Sequence, residues 1–219
     1  MNRHLERLKK AGALVPGHFV FVSGQHSGWY VNKTAALVLA SDIDVYAHAI
    51  ADHFPHRRLH FEDIAAVVYP ELGAIPLGAL VAHQLYMGAD AGYDFPGIVA
   101  TKVVKGDNLV GYEIARDQRR FLGGKRTLVV EDVITTGLSV RMTMEAIRSA
   151  GGIPVAVAAL WMRNPISAEE FGVETAFALI NERLPDYTED ECPQCRENIP
   201  INTDLGKGKA YLDNRYPDQ

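Results

Sequence analysis

Two adjacent carboxylates, Glu131 and Asp132, are followed by Val133, Ile134 and the hydroxyl-rich turn Thr135-Thr136-Gly137-Leu138-Ser139. This is the stretch of the chain best equipped for chemistry. Upstream, Thr127-Leu128-Val129-Val130 is apolar and β-branched without polar alternation, as in a strand covered on both faces of a parallel sheet. The acids thus fall at the expected end of that strand. A small-residue turn ahead of an amphipathic segment can aim backbone N–H groups and hydroxyls at one phosphate, with a helix N-terminus behind it. Acids beside such a cradle repel a phosphate unless they face another part of the ligand. The pattern therefore predicts a sugar phosphate, its phosphate in the turn and its hydroxyls on Glu131 and Asp132, with Mg2+ offsetting nearby charge. The plainer reading is an ordinary strand-to-helix turn with exposed acids.

The order Glu131, Asp132, Thr135, Thr136, Gly137, Leu138, Ser139 resembles the phosphoribosyl-pyrophosphate signature of the type I phosphoribosyltransferases. The resemblance implies that the two acids contact the ribose hydroxyls and that the turn wraps the 5-phosphate. A second stretch agrees with it. Ala65-Ala66-Val67-Val68-Tyr69 reads as a buried strand, and Pro70-Glu71-Leu72-Gly73-Ala74 turns into a helix carrying Ile75, Leu77, Leu80, Val81 and Leu85. Glu71, Leu72, Gly73 and Ala74 match the loop that receives pyrophosphate in the orotate phosphoribosyltransferases, and Gly73 would let backbone approach the ligand.

The elements around these motifs extend the likeness. Leu5, Leu8 and Ala11 recur at helical spacing, and Pro16-Gly17 ends that pattern. Phe19-Val20-Phe21-Val22 and Trp29-Tyr30-Val31 read as short strands around a polar turn containing His26. The Gly-His-Phe and Ser-Gly-Gln-His-Ser pieces resemble the N-terminal hood of one orotate branch, which would set Tyr30 and Lys33 beside the base. Ser41 or Asp42 caps an expected helix to about Phe54, closed by Pro55. After the strand Ile98-Val99-Ala100, a polar stretch runs to Lys125 with glycines at its borders. It reads as a flap or a hairpin. The resemblance makes Lys102 and Lys105 catalytic with Asp132, closing over pyrophosphate, commonly across a homodimer interface. Thr101 replaces the family's usual arginine, and no histidine lies between Lys105 and Lys125.

Val140, Met144 and Ile147 share a helical face that ends at Gly151-Gly152, and Ile153 to Trp161 is a buried strand. Arg163 follows it, where the family reads the base. A guanidinium fork suits a planar carboxylate. Thr175 to Ile180 reads as the last strand. The tail holds the only two cysteines, Cys192 and Cys195, in Cys-Pro-Gln-Cys, resembling the tail of the same branch. Alone this is half a zinc site, so packing, a structural metal shared between segments or subunits, and redox chemistry all stay open.

Alternating strands and helices predict an α/β fold with a central parallel sheet flanked by helices and ligand loops at the strands' carboxyl ends. The resemblance makes it the type I phosphoribosyltransferase fold, with a small hood from the N-terminal and even the C-terminal segments. One domain over 1–219 is expected: a hood over about 1–40, a core over about 60–182 and a tail over about 183–219. Lys plus Arg number 22 against 27 acids, for a net charge of −5, which argues against a nucleic-acid partner. No signal peptide or membrane-spanning stretch is read, and the sparse cysteines suit a cytoplasmic protein. The expected substrates are phosphoribosyl pyrophosphate and a pyrimidine base, orotate. The alternatives are another base, or a non-catalytic protein that retains the donor pocket.

Overall fold

A computed structural model describes residues 2–21, 23–54, 64–89, 94–106 and 108–215. Val22 and Pro55, read above as part of a strand and as a helix stop, lie outside them. The chain forms two compact units, one from Leu37–Glu182 and one from Met1–Ala36 with Arg183–Gln219.

The larger unit is an α/β sheet protein. Its strands are β3 (Ala66–Pro70), β4 (Gly97–Lys105), β5 (Asn108–Ile114), β6 (Arg126–Ile134), β7 (Ile153–Met162) and β8 (Thr175–Ile180), in the order β5-β4-β3-β6-β7-β8. All neighbours run parallel except the β4–β5 hairpin at one edge. Helix α3 (Ala40–Ala51) packs on α4 (Ile75–Gly88), and α5 (Leu138–Ser149) and the short α6 (Ala168–Phe171) complete the unit.

Strand alternation sorts the core into two layers. Ala66, Val68, Val129, Val157 and Ala159 are buried in one cluster with Val140, Met144 and Ile147 of α5. Tyr69, one residue off that register, packs on α4: a Cβ added at Gly78 would lie 2.3 Å from its ring. Because β3 pairs with β4 on one side and β6 on the other, the strand order reverses there, opening a crevice at the carboxyl ends of β3 and β6.

Three boundaries in this unit differ from the sequence reading. β6 does not stop at Val130: Glu131, Val133 and Ile134 still pair with Ala159, Trp161 and Met162 of β7, so both acids lie within the strand. Neither Ser41 nor Asp42 caps α3. Leu39 occupies the cap position without a side-chain bond, and Asp42 sits in the first turn, where its charge suits the helix N-terminus. The stretch after Ala100 is largely a hairpin, since β4 continues to Lys105 and pairs with β5.

The smaller unit holds α1 (Arg3–Lys10), capped by the Asn2 side chain, the hairpin β1 (Leu14–Val20) and β2 (His26–Val31), and α2 (Lys33–Ala36). Its C-terminal segment adds α7 (Pro193–Arg196) and α8 (Gly208–Arg215) and runs along the hairpin. Asn202 N–H donates to the His18 carbonyl at 2.7 Å, Lys207 N–H to that of Val20 at 2.8 Å, and the Ser27 hydroxyl to that of Pro185 at 2.7 Å. No helix among the described residues is long and apolar enough to cross a membrane.

The Tyr69–Gly78 contact leaves no room for a methyl group, because the atoms it would meet lie near the ring's stem. Gly78→Ala is expected to cost about 1–3 kcal/mol of stability by overpacking, read as a lower urea midpoint at unchanged m-value. An unchanged midpoint would contradict this packing.

Candidate active site

The crevice between β3 and β6 brings together two motifs that the β4–β5 hairpin separates in sequence. Beyond β3, Glu71-Leu72-Gly73-Ala74 forms a turn into α4, with a cis peptide between Glu71 and Leu72. A Cβ at Gly73 would lie 2.1 Å from Asp132 Oδ2, so only glycine lets this backbone lie against the carboxylate. Glu71 ties the turn sideways to the next strand, its Oε1 accepting the Lys102 N–H at 2.8 Å.

Glu131 and Asp132 are 7% and 3% exposed, low for carboxylates, and backbone donors hold each of them. Glu131 Oε1 accepts the Asp132 N–H at 3.0 Å, and Asp132 Oδ1 accepts that of Val133. Successive strand residues point to opposite sides. Accordingly Asp132 meets the Gly73 turn, while Glu131 lines a cleft with Thr135, Thr136, Gly137, Leu138 and Ser139. That cleft measures about 40 Å³ and is open to solvent, well below the range of roughly 300–1,000 Å³ usual for whole small-molecule sites. It fits one end of a ligand.

Gly137 makes the turn possible. Its φ of +76° is the left-handed conformation that favours glycine, and it is the N-cap residue of α5. The exposed Thr135 and Thr136 therefore precede a helix whose first N–H groups point into the turn. Arg163 directly follows β7, and its backbone N–H bonds to the Ile134 carbonyl at 2.9 Å, which sets it beside the end of β6. Asn164 Nδ2 reaches the Thr135 carbonyl at 3.5 Å.

Lys102 and Lys105 are both exposed on β4. Lys102 lies directly opposite Tyr112 of β5, and such antiparallel partners share a face. Lys105, three residues on, falls on the other pleat near the hairpin tip. Tyr30 and Lys33 belong to the smaller unit, where the half-buried Tyr30 ring lies 5.3 Å from that of Phe19, tilted by 34°, and the exposed Lys33 opens α2. Cys192 and Cys195 are there too, joined by no disulfide. Burial, then the neighbouring Cys192 thiol, pushes Cys195 up to about 11, so its metal-free thiol is a weak nucleophile at neutral pH.

Tyr112 escaped the sequence reading. It is buried, and its phenol feels the Ser139 hydroxyl and the charges of Glu131, Glu71 and Asp132. Burial foremost raises its pKa, keeping the phenol neutral and able to donate. Only the β4–β5 register, which sets Tyr112 across from Lys102, could have singled it out.

The chain has no match among protein-family models. An orotate phosphoribosyltransferase of Thermus thermophilus is 34% identical over 197 residues, covering 90% of this chain and 97% of that protein. The chain belongs to the orotate phosphoribosyltransferase family. The orotate phosphoribosyltransferase of Caldanaerobacter subterraneus is 30% identical over 201 residues, covering 90% of this chain and 93% of that protein. Among solved structures, orotate phosphoribosyltransferase from Aeropyrum pernix superposes with a TM-score of 0.57 at 25% identity, over 78% of this chain and 92% of its own. Adenine phosphoribosyltransferase from Thermoanaerobacter pseudethanolicus shares the fold, with a TM-score of 0.55 at 18% identity over 80% of this chain and 98% of its own. The type I phosphoribosyltransferase fold thus matches the sequence expectation.

Gly73→Ala tests whether the turn and the acid form one site in this orotate phosphoribosyltransferase family member. The added methyl must push Asp132 or the turn aside, so affinity for phosphoribosyl pyrophosphate should fall at least about tenfold, some 1.4 kcal/mol. Leu72 and Gly73 are exposed, so the urea midpoint should hardly move. Unchanged affinity in isothermal titration calorimetry would separate the two motifs.

Proposed function

We propose that this protein transfers the 5-phosphoribosyl group of phosphoribosyl pyrophosphate to orotate, releasing pyrophosphate and forming orotidine 5'-monophosphate for pyrimidine nucleotide biosynthesis. The observation that carries this reading is the contact of the Gly73 turn with Asp132 beside the Thr135–Ser139 cleft, in a member of the orotate phosphoribosyltransferase family. The turn of residues 135–139 binds the 5-phosphate through backbone N–H groups and hydroxyls at the start of α5. Glu131 and Asp132, already fixed by backbone donors, accept the ribose hydroxyls. The Glu71–Ala74 turn receives the pyrophosphate end.

Bond breaking runs ahead of bond making, through an oxocarbenium-like state that needs no protein nucleophile. Asp132, one of the acids at the ribose, lends that positive charge a fixed negative neighbour. Lys102, on the face it shares with Tyr112, offers its ammonium to the departing pyrophosphate, and Lys105 adds charge from the hairpin tip. Arg163 is the group suited to the orotate carboxylate, with Tyr30 and Lys33 assigned to the base as well.

Mg2+ fits this site as an ion carried by the donor. Glu131 and Asp132 do not join a third ligand there, and the one cluster of three or more His, Cys, Asp or Glu among the described residues lies in the other unit. Mg2+ is commonly held by one or two carboxylates, waters and substrate phosphates. When bound, it would neutralise charge on the leaving pyrophosphate. A homodimer working in the cytoplasm completes the proposal.

Thr101 and the sequence Trp161-Met162-Arg163-Asn164 depart from the family pattern, so the base is the part to test. Purified protein given phosphoribosyl pyrophosphate, Mg2+ and a panel of bases should release pyrophosphate with orotate and with no other base. Product from a different base would overturn the orotate assignment. Donor binding without turnover on any base would make the protein a non-catalytic member.

A further inference from the structure

The smaller unit gathers four ligand-type side chains that the transfer reaction does not use. His18 comes from β1, His26 from β2, and Cys192 and Cys195 from the start of α7. Their ligand atoms all lie within 4.8 Å of one another. His18 and Cys192 are 2% and 0% exposed and His26 is fully buried, while Cys195 is half-buried, so three of the four are shielded from bulk water.

The hydrogen bonds fix which atoms face inward. His18 Nδ1 lies 2.7 Å from the Ile199 carbonyl oxygen, which can only accept. The ring hydrogen is therefore on Nδ1, and Nε2 presents its lone pair to the cluster. Such an outer partner is the usual device that orients a metal-binding imidazole. Cys195 Sγ lies 3.5 Å from His18 Nε2 and 3.4 Å from His26 Nδ1, and Cys192 Sγ lies 3.7 Å from His18 Nε2. Zinc–nitrogen bonds of about 2.0–2.1 Å and zinc–sulfur bonds of about 2.3 Å, at tetrahedral angles, set nitrogen and sulfur about 3.5 Å apart. His18 Nε2 and His26 Nδ1 are 2.9 Å apart, against roughly 3.3 Å in that geometry, so a slight parting of the rings completes the tetrahedron.

We propose that His18, His26, Cys192 and Cys195 bind one structural Zn2+, closed to substrate, that fastens the N-terminal hairpin to the C-terminal segment. Two thiolates and two neutral imidazoles balance the ion's charge, and this soft, mixed donor set suits zinc over Mg2+ or Ca2+. The need for it is visible in the unit's size. Its segments span only 36 and 37 residues, around a two-stranded sheet, and units this small commonly need a metal or disulfide staple. With four protein ligands the ion has no open position for catalysis.

Elemental analysis of the full-length protein, purified without added metal, should find about one zinc per chain. Protein stripped by chelator and titrated with Co2+ under reducing conditions should develop the intense visible bands of tetrahedral cobalt together with a sulfur charge-transfer band. His18→Ala and Cys195→Ser should each abolish zinc retention and weaken or remove these bands. Zinc-free protein whose stripped wild-type form gives no cobalt bands would overturn the proposal, whether or not the variants fold. Full zinc retention in both variants would overturn it as well.

Discussion

One close approach organises the larger unit: the Gly73 backbone lying against the Asp132 carboxylate. It exists because β3 and β6 are sheet neighbours whose connections leave in opposite directions, so the turn after β3 and the acids of β6 face the same crevice. Any side chain at position 73 would push them apart. The neighbouring parts depend on that closure. Glu71 of this turn accepts the Lys102 N–H, and Tyr112, across from Lys102, feels the Ser139 hydroxyl. The Glu71–Ala74 turn, the hairpin and the Thr135–Ser139 turn are thus gathered around the acids before any ligand enters. Pre-set donors and charges of this kind cost little reorganisation during reaction.

Much of this was legible in the chain itself. Apolar runs without alternation marked Ala65–Tyr69, Thr127–Val130 and Ile153–Trp161 as buried parallel strands, and β3, β6 and β7 contain nearly all of them. Gly137, between Thr136 and Leu138, marked the turn in which the left-handed cap of α5 falls. The reading failed where tertiary pairing decides. A carboxylate after four apolar residues looks like a strand end, yet β7 continues beside β6 and carries Glu131 and Asp132 inward. Tyr112 has no local signature, since its position depends on a hairpin register. Lys102 and Lys105 look equivalent in sequence, and the pleat separates them.

The smaller unit shows the same limit more sharply. Cys192 and Cys195 stand out by spacing, whereas His18 and His26 are ordinary residues of a hairpin that ends far upstream in sequence. The bonds from Asn202 to His18, from Lys207 to Val20 and from Ser27 to Pro185 lay the tail along that hairpin, which closes the set of four. Chemistry built from distant segments is invisible to local patterns, while chemistry built on one turn, such as the stretch from Glu131 to Ser139, is not.

In the function proposed above, donor recognition rests on the two β6 acids holding the ribose. Isothermal titration of phosphoribosyl pyrophosphate into the Glu131→Gln, Asp132→Asn double variant measures this directly, because each amide oxygen can still accept the backbone bond that holds the side chain and the fold should survive. The expected result is a loss of donor affinity of at least about a hundredfold, some 2.7 kcal/mol, with an unchanged thermal midpoint. Wild-type affinity in a folded double variant would contradict that role for the acids.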